Sequence, residues 1–189
     1  MQRVCVFAGS KSGAQEAYAQ AARELGAEIA RRGFGMVYGG ASVGLMGACA
    51  DAALAGGGEV VGVLPRALAA REIAHAGLTE LRIVSSLHER KAVMSALSDY
   101  VIALPGGCGT LDELFEAITW TQLGLIEKPI GLLDAGGYWA PLSALVQHME
   151  AEGFVRGVTL HKSARAAELL ELLVQAPPAA VSAGPAPRP

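Results

Sequence analysis

The sequence predicts an α/β protein: a single domain built on one doubly wound parallel sheet with helices on both faces. Two observations carry this. Short apolar runs alternate along the chain with segments of helical periodicity. Glycines gather at the ends of those runs, in FAGSKSG, YGGASVGLMG and LPGGCGT, where sheets of this kind bind their ligands.

The elements follow in order. VCVFAG reads as a first buried parallel strand. AQEAYAQAARELGAEIARR is a helix with Tyr18, Ala21, Leu25 and Ile29 on one face. GMVYGG, EVVGVLP, LRIVSS, YVIALPGG and PIGLLD are further buried strands. VGLMGACADAALAGG, SLHERKAVMSALS, TLDELFEAITWTQL and YWAPLSALVQHMEAEG are helices between them, and SARAAELLELLVQ closes the domain. There is no internal repeat. From Ala176 the chain runs APPAAVSAGPAPRP, a Pro/Ala-rich stretch that cannot bury a core. The expectation is a domain over 1–175 and a disordered tail over 176–189.

Composition narrows the function. The 189 residues are 52% hydrophobic and 17% charged, enough for one sizeable core. A net charge of −3 argues against a nucleic-acid binder, which would carry a basic patch, but not against a small phosphorylated ligand. Cys5, Cys49 and Cys108 are far apart, with no C-x-x-C spacing, and suit reduced thiols in a cytoplasmic protein. No signal peptide and no membrane span are expected.

Three stretches are candidate sites, and each has a plain structural alternative. YGGASVGLMG is not a dinucleotide fingerprint, because Gly40, Gly44 and Gly47 have the wrong spacing and VVGVLPRAL ends without the required acid. It is either a tight turn with close helix packing or a loop facing phosphate or ribose. A Walker A motif is absent. In LPGGCGTLDELFE, Gly106, Gly107 and Gly109 lie between a strand and a helix, which suits an anion held by free N–H groups and the helix dipole. Thr110 and Glu113 also form T-x-x-E, a capping box, in which Glu113 would only secure its own helix. HERK, residues 88–91, puts basic groups at a helix start, against the dipole; it is functional or an exposed turn. His88 reads as structural, and Cys108 as a small packing residue inside the glycine loop.

These pieces combine into one arrangement. A phosphate in the glycine loop, with Arg90 and Lys91 offsetting its charge, leaves a carboxylate one turn further on. That carboxylate would hold ribose hydroxyls and stabilise positive charge at the anomeric carbon, the requirement of an oxocarbenium-like transition state.

VYGGASVGLMG, LHERKAVM, LPGGCGTLDELFE and TWTQLG resemble the LOG (Lonely Guy) family of cytokinin riboside 5'-monophosphate phosphoribohydrolases, over about Arg3 to Gly153. The signature P-G-G-x-G-T-x-x-E is complete from Pro105 to Glu113. The resemblance implies a Rossmann-like fold and hydrolysis of the N-glycosidic bond of (N6-modified) adenosine 5'-monophosphate, giving free base and ribose 5-phosphate. It matches Arg90 and Glu113 to the catalytic pair. It matches Glu72, Lys91, Gly107, Cys108, Gly109, Thr110, Leu111, Asp112 and Thr119 to substrate-contacting positions, beside Gly106 of the same loop. It implies a homodimer, and the expectation is no metal and no organic cofactor. Cys108 fills a position that family members often give to a larger residue, and RGVTLHKSARAAE is shorter than expected. The alternative is a non-catalytic nucleotide or molybdenum-cofactor carrier of the same fold. For Glu113 the test is simple, since a pure carrier needs no acid near an anomeric carbon.

Overall fold

The structure is a computed structural model that describes residues 1–69 and 74–177. In chain order its elements are β1 (Arg3–Phe7), α1 (Glu16–Arg31), β2 (Gly35–Tyr38), α2 (Gly44–Ala55), β3 (Val60–Pro65) and α3 (Arg66–Ala69). They continue with β4 (Glu80–Val84), α4 (Leu87–Ala96), β5 (Tyr100–Ala103), α5 (Cys108–Gln122) and β6 (Ile130–Leu133). A 3-10 turn (Ala135–Gly137), α6 (Ala140–Ala151), β7 (Leu160–Ser163) and α7 (Ala166–Gln175) complete the order.

Among the described residues the strands form one parallel sheet, β4-β3-β2-β1-β5-β6-β7. Alternation along β1 divides the core. Val4 and Val6 pack with α1, α2 and α7 on one face. Cys5 and Phe7 pack with Met94 of α4, Leu114 and Ile118 of α5 and Leu142 of α6 on the other. Ala21, Leu25 and Ile29 are buried as their spacing predicts, but Tyr18 is only half-buried.

Helices α1 and α2 approach each other closely because small residues face across the contact. A Cβ on Gly26 would stand 2.1 Å from the Cys49 carbonyl oxygen and 2.9 Å from the Ala53 nitrogen, so only glycine fits. At the end of α1, Glu28 accepts hydrogen bonds from Arg31 and Arg32, and Arg32 Nη2 also donates to the Ala167 carbonyl at 2.8 Å.

Two expectations change. LRIVSS is not a buried strand: β4 is a sheet edge whose Leu81 and Ile83 are exposed, with Val84 alone buried. A seventh strand, β7, lies inside RGVTLHKSARAAE; its LHKS sequence is polar because it forms the opposite edge. The expected disordered tail falls almost entirely on residues 178–189, outside the described residues. No helix among the described residues is long and apolar enough to cross a membrane.

Candidate active site

The sheet reverses its winding at β1 and β5. The chain leaves β1 for β2 on one side and leaves β5 for β6 on the other, and a crevice opens beyond the carboxyl ends at this switch point. A cavity of about 480 Å³ occupies it. The loop after β1 and the loop after β5 are tied together by Gly9 N–H donating to the Pro105 carbonyl at 3.0 Å.

Both candidate glycine loops lead into helices, and the structure separates them. At the start of α2 the N–H groups of Leu45 and Met46 donate to the Gly9 carbonyl at 3.0 and 3.4 Å. Gly44 has φ +62° and a Cβ there would meet Ser10 carbonyl carbon at 2.3 Å. YGGASVGLMG therefore packs as a tight turn whose Leu45 and Met46 N–H groups are taken by Gly9, while both residues also line the cavity. The start of α5 differs. Its N-cap, Gly107, gives no side-chain cap, and Cys108, Gly109 and Thr110 occupy the first turn, whose N–H groups have no acceptor within the helix. A Cβ on Gly107 or on Gly109 would meet nothing within 4 Å, so these glycines face open space. Gly106 is different: a Cβ there would lie 2.1 Å from Thr110 Oγ1.

Because α5 begins at Cys108, Thr110 is its third residue and Glu113 its sixth, and T-x-x-E forms no capping box. The cap lies instead on α4. Ser86 Oγ accepts from Glu89 N–H at 3.1 Å, while Glu89 accepts from Ser85 N–H. HERK is thus a capped helix start whose acid, Glu89, suits the dipole that its basic residues oppose. Glu113 faces the cavity, about 4.5 Å along the axis from Thr110 at 1.5 Å per residue. Its carboxylate also acts on Cys5 beneath it: burial first, and then Glu113, push that thiol well above its ordinary range. Cys5 is thereby inert as a nucleophile.

Arg90, from α4, is 7% exposed and lines the same cavity. Its Nη2 donates to the Gly39 carbonyl at 3.1 Å, and its Nε is buried with no hydrogen-bond partner. A buried guanidinium donor without a partner fits an acceptor that arrives with a ligand.

The remaining expected residues lie elsewhere. Lys91, Leu111, Asp112 and Thr119 line a second hollow of about 570 Å³ on the outer side of α5, with Phe115, Glu116 and Trp120. Lys91 pairs with Glu116 at 2.7 Å and Asp112 at 3.1 Å. Burial disfavours its charge, but Glu116 and Asp112 outweigh that and hold its pKa above the ordinary lysine value. The expectation that Lys91 offsets charge in the glycine loop is corrected, since it lies outside the first cavity. Thr119 Oγ1 donates to the Phe115 carbonyl at 2.7 Å. Cys108 is exposed and lines both hollows, so it is not a packing residue. Glu72 lies outside the described residues. Sequence reasoning missed Lys11, Tyr18 and Tyr138 as cavity walls. FAGSKSG at a strand end was the signal for Lys11, whereas Tyr18 was masked by its place in the helical stripe. Tyr138 donates its hydroxyl to the Gly106 carbonyl and meets Tyr18 edge-on at 5.7 Å. No group of three or more metal-ligating side chains occurs among the described residues.

A family model described as "possible lysine decarboxylase" matches residues 46–175. The probable cytokinin riboside 5'-monophosphate phosphoribohydrolase LOGL1 of Oryza sativa subsp. japonica is 49% identical over 94% of this chain and 75% of its own length. The cytokinin riboside 5'-monophosphate phosphoribohydrolase LOG1 of Arabidopsis thaliana is 45% identical, covering 91% and 81%. That of Rhodococcoides fascians is 50% identical, covering 82% and 79%. The chain belongs to the LOG family. A molybdenum cofactor carrier protein from Chlamydomonas reinhardtii shares the LOG fold at TM-score 0.72 and 23% identity, over 93% of this chain and 99% of its own. The molybdenum cofactor binding protein of Rippkaea orientalis does so at 0.69 and 21%, over 92% and 95%. At these identities the likeness is one of fold. In this LOG protein the decarboxylase description is the family model's wording alone, since the named relatives are phosphoribohydrolases.

Proposed function

We propose that this protein hydrolyses the N-glycosidic bond of cytokinin riboside 5'-monophosphates, and of AMP, to free base and ribose 5-phosphate. The observation that carries this is the uncapped, glycine-lined start of α5 with Glu113 one turn further along the same cavity wall. The phosphate lies on the free N–H groups of Cys108, Gly109 and Thr110, where the helix dipole favours an anion. The ribose then reaches toward Glu113. As the bond from the anomeric carbon to the base nitrogen lengthens, the Glu113 carboxylate stabilises the developing positive charge. The bond's electron pair leaves with the base nitrogen, water's oxygen adds to that carbon, and the proton that water loses ends on the base nitrogen, so the base departs neutral. Arg90 Nε donates to substrate from the buried side.

The site residues of the second hollow, Lys91, Leu111, Asp112 and Thr119, meet the part of the substrate that extends past Cys108, with Glu72 completing the set. The whole unit over residues 1–175 acts as one domain. It works as a homodimer, for which the exposed Leu123 and Leu125 at the end of α5 offer apolar surface. The free thiols support a reducing, cytoplasmic compartment.

Incubation with AMP and with N6-isopentenyladenosine monophosphate tests the reading. Release of adenine and of the modified base, unaffected by EDTA, is expected. Binding of both nucleotides without cleavage would overturn it in favour of a carrier.

A further inference from the structure

We propose that Lys11, in the loop between β1 and α1, is the cation that meets the substrate's 5'-phosphate, a role that rests on the function proposed above. The charged residues lining the first cavity are Lys11, Arg90 and Glu113. Arg90 and Glu113 cancel formally, and the helix terminus contributes only about half a charge. A phosphate monoester carries about −1.5 to −2 at neutral pH. Without Lys11 the walls fall short of that charge. Lys91, the other candidate, is held by Glu116 and Asp112 outside the cavity.

The backbone of Lys11 is fixed while its ammonium is not. A Cβ on Gly44 would lie 2.5 Å from Lys11 N, and one on Gly9 would lie 3.1 Å from Lys11 O and 3.3 Å from Gly106 Cα. Three glycines thus let this loop close on both the start of α2 and the loop that leads into α5. The side chain is exposed and makes no ion pair among the described residues. Lys11 lines the same cavity as Cys108, Gly109 and Thr110 at the start of α5, so a flexible ammonium can close on a phosphate held by their N–H groups.

Calorimetric titration of AMP and adenosine, in a Glu113→Gln background so that neither is consumed, into protein with Lys11, Lys11→Ser or Lys11→Arg tests the assignment, with ribose 5-phosphate as a competitor. Lys11→Ser is expected to weaken AMP and ribose 5-phosphate about ten- to hundred-fold, cutting the preference for AMP over adenosine by the same factor. The dependence of AMP affinity on salt should become shallower, and Lys11→Arg should recover most of the loss. AMP affinity in Lys11→Ser within two-fold of that with Lys11, or equal weakening of AMP and adenosine, would overturn it. Wild type that binds AMP but releases no adenine defeats the hydrolase reading alone, and the binding series still decides Lys11. Wild type that binds no AMP defeats both.

Discussion

The guanidinium of Arg90 occupies the space that a side chain on residue 39 would need: a Cβ on Gly39 would stand 1.8 Å from Arg90 Nη2. Arg90 is held there by the Gly39 carbonyl at 3.1 Å. Gly39→Ala must therefore push Arg90 out of its seat. The expected result is a fall in kcat/KM for AMP of about 100-fold, the cost of misplacing a catalytic group by an ångström. Overpacking should cost about 1–3 kcal/mol of stability as well. Steady-state kinetics beside a urea melt check both, and normal kinetics would mean that Arg90 is not needed where it lies.

Glu113→Gln separates charge from shape. Glu113 is the sixth residue of α5 and no part of a cap, so the helix start should be untouched. Loss of a preorganised electrostatic partner typically costs about 10²–10³ in rate. The expectation is such a fall in kcat on AMP with the melting temperature nearly unchanged. Near-normal kcat would remove Glu113 from the chemistry.

Gly109→Ala should make the protein more stable and less active. Residue 109 is helical and a Cβ there meets nothing within 4 Å. Alanine should therefore add about 0.5–1 kcal/mol by restricting the unfolded chain and favouring the helix. The same methyl projects into the space assigned to the phosphate, and KM for AMP should rise about ten-fold or more. An unchanged KM would place the phosphate elsewhere.

Acid stability should report Glu28. Hydrogen bonding from Arg31, partly opposed by burial and then aided by Arg32, lowers its pKa from 4.5 to about 2. A depressed carboxylate pKa contributes stability above the unfolded value and loses it as pH falls through the folded one. Glu28→Gln should thus cost about 1–3 kcal/mol at pH 7, after allowance for the exposed Arg31. The gap from wild type should narrow between about pH 4.5 and 2. Urea melts at pH 7 and pH 2.5 check this, and an equal gap at both would show that the charge contributes nothing.

Much of this architecture was legible because central parallel strands are covered on both faces and so read as apolar runs, as β1, β2, β3, β5 and β6 do. Edge strands escape that rule. LHKS of β7 is polar and was missed, and the apolar residues of LRIVSS made β4 look more buried than it is. That the glycine loop and Glu113 line one cavity was readable from order alone. The pair Arg90 and Lys91 was misleading for a geometric reason: neighbours on a helix point about 100° apart. Arg90 turns into the cavity and Lys91 turns toward α5. The capping box went to the wrong helix because T-x-x-E and S-x-x-E both occur, and only the register of each helix start tells them apart.

The sheet's central pairing has a consequence for how the chain is made. Val4 of β1 pairs with Tyr100 of β5, and the neighbouring contact from Arg3 to Asp99 spans 96 residues of sequence. At about 5–20 residues per second, the ribosome needs roughly 5–20 seconds between delivering one strand and its neighbour. Through that interval β1 can pair with β2 on one side only, and its other edge, Val-Cys-Val-Phe, stays open in the middle of what will become the sheet. An unpaired apolar edge is a template for intermolecular pairing. Nascent chains of this protein are therefore most vulnerable to aggregation, and most dependent on chaperones, before residue 103 has emerged.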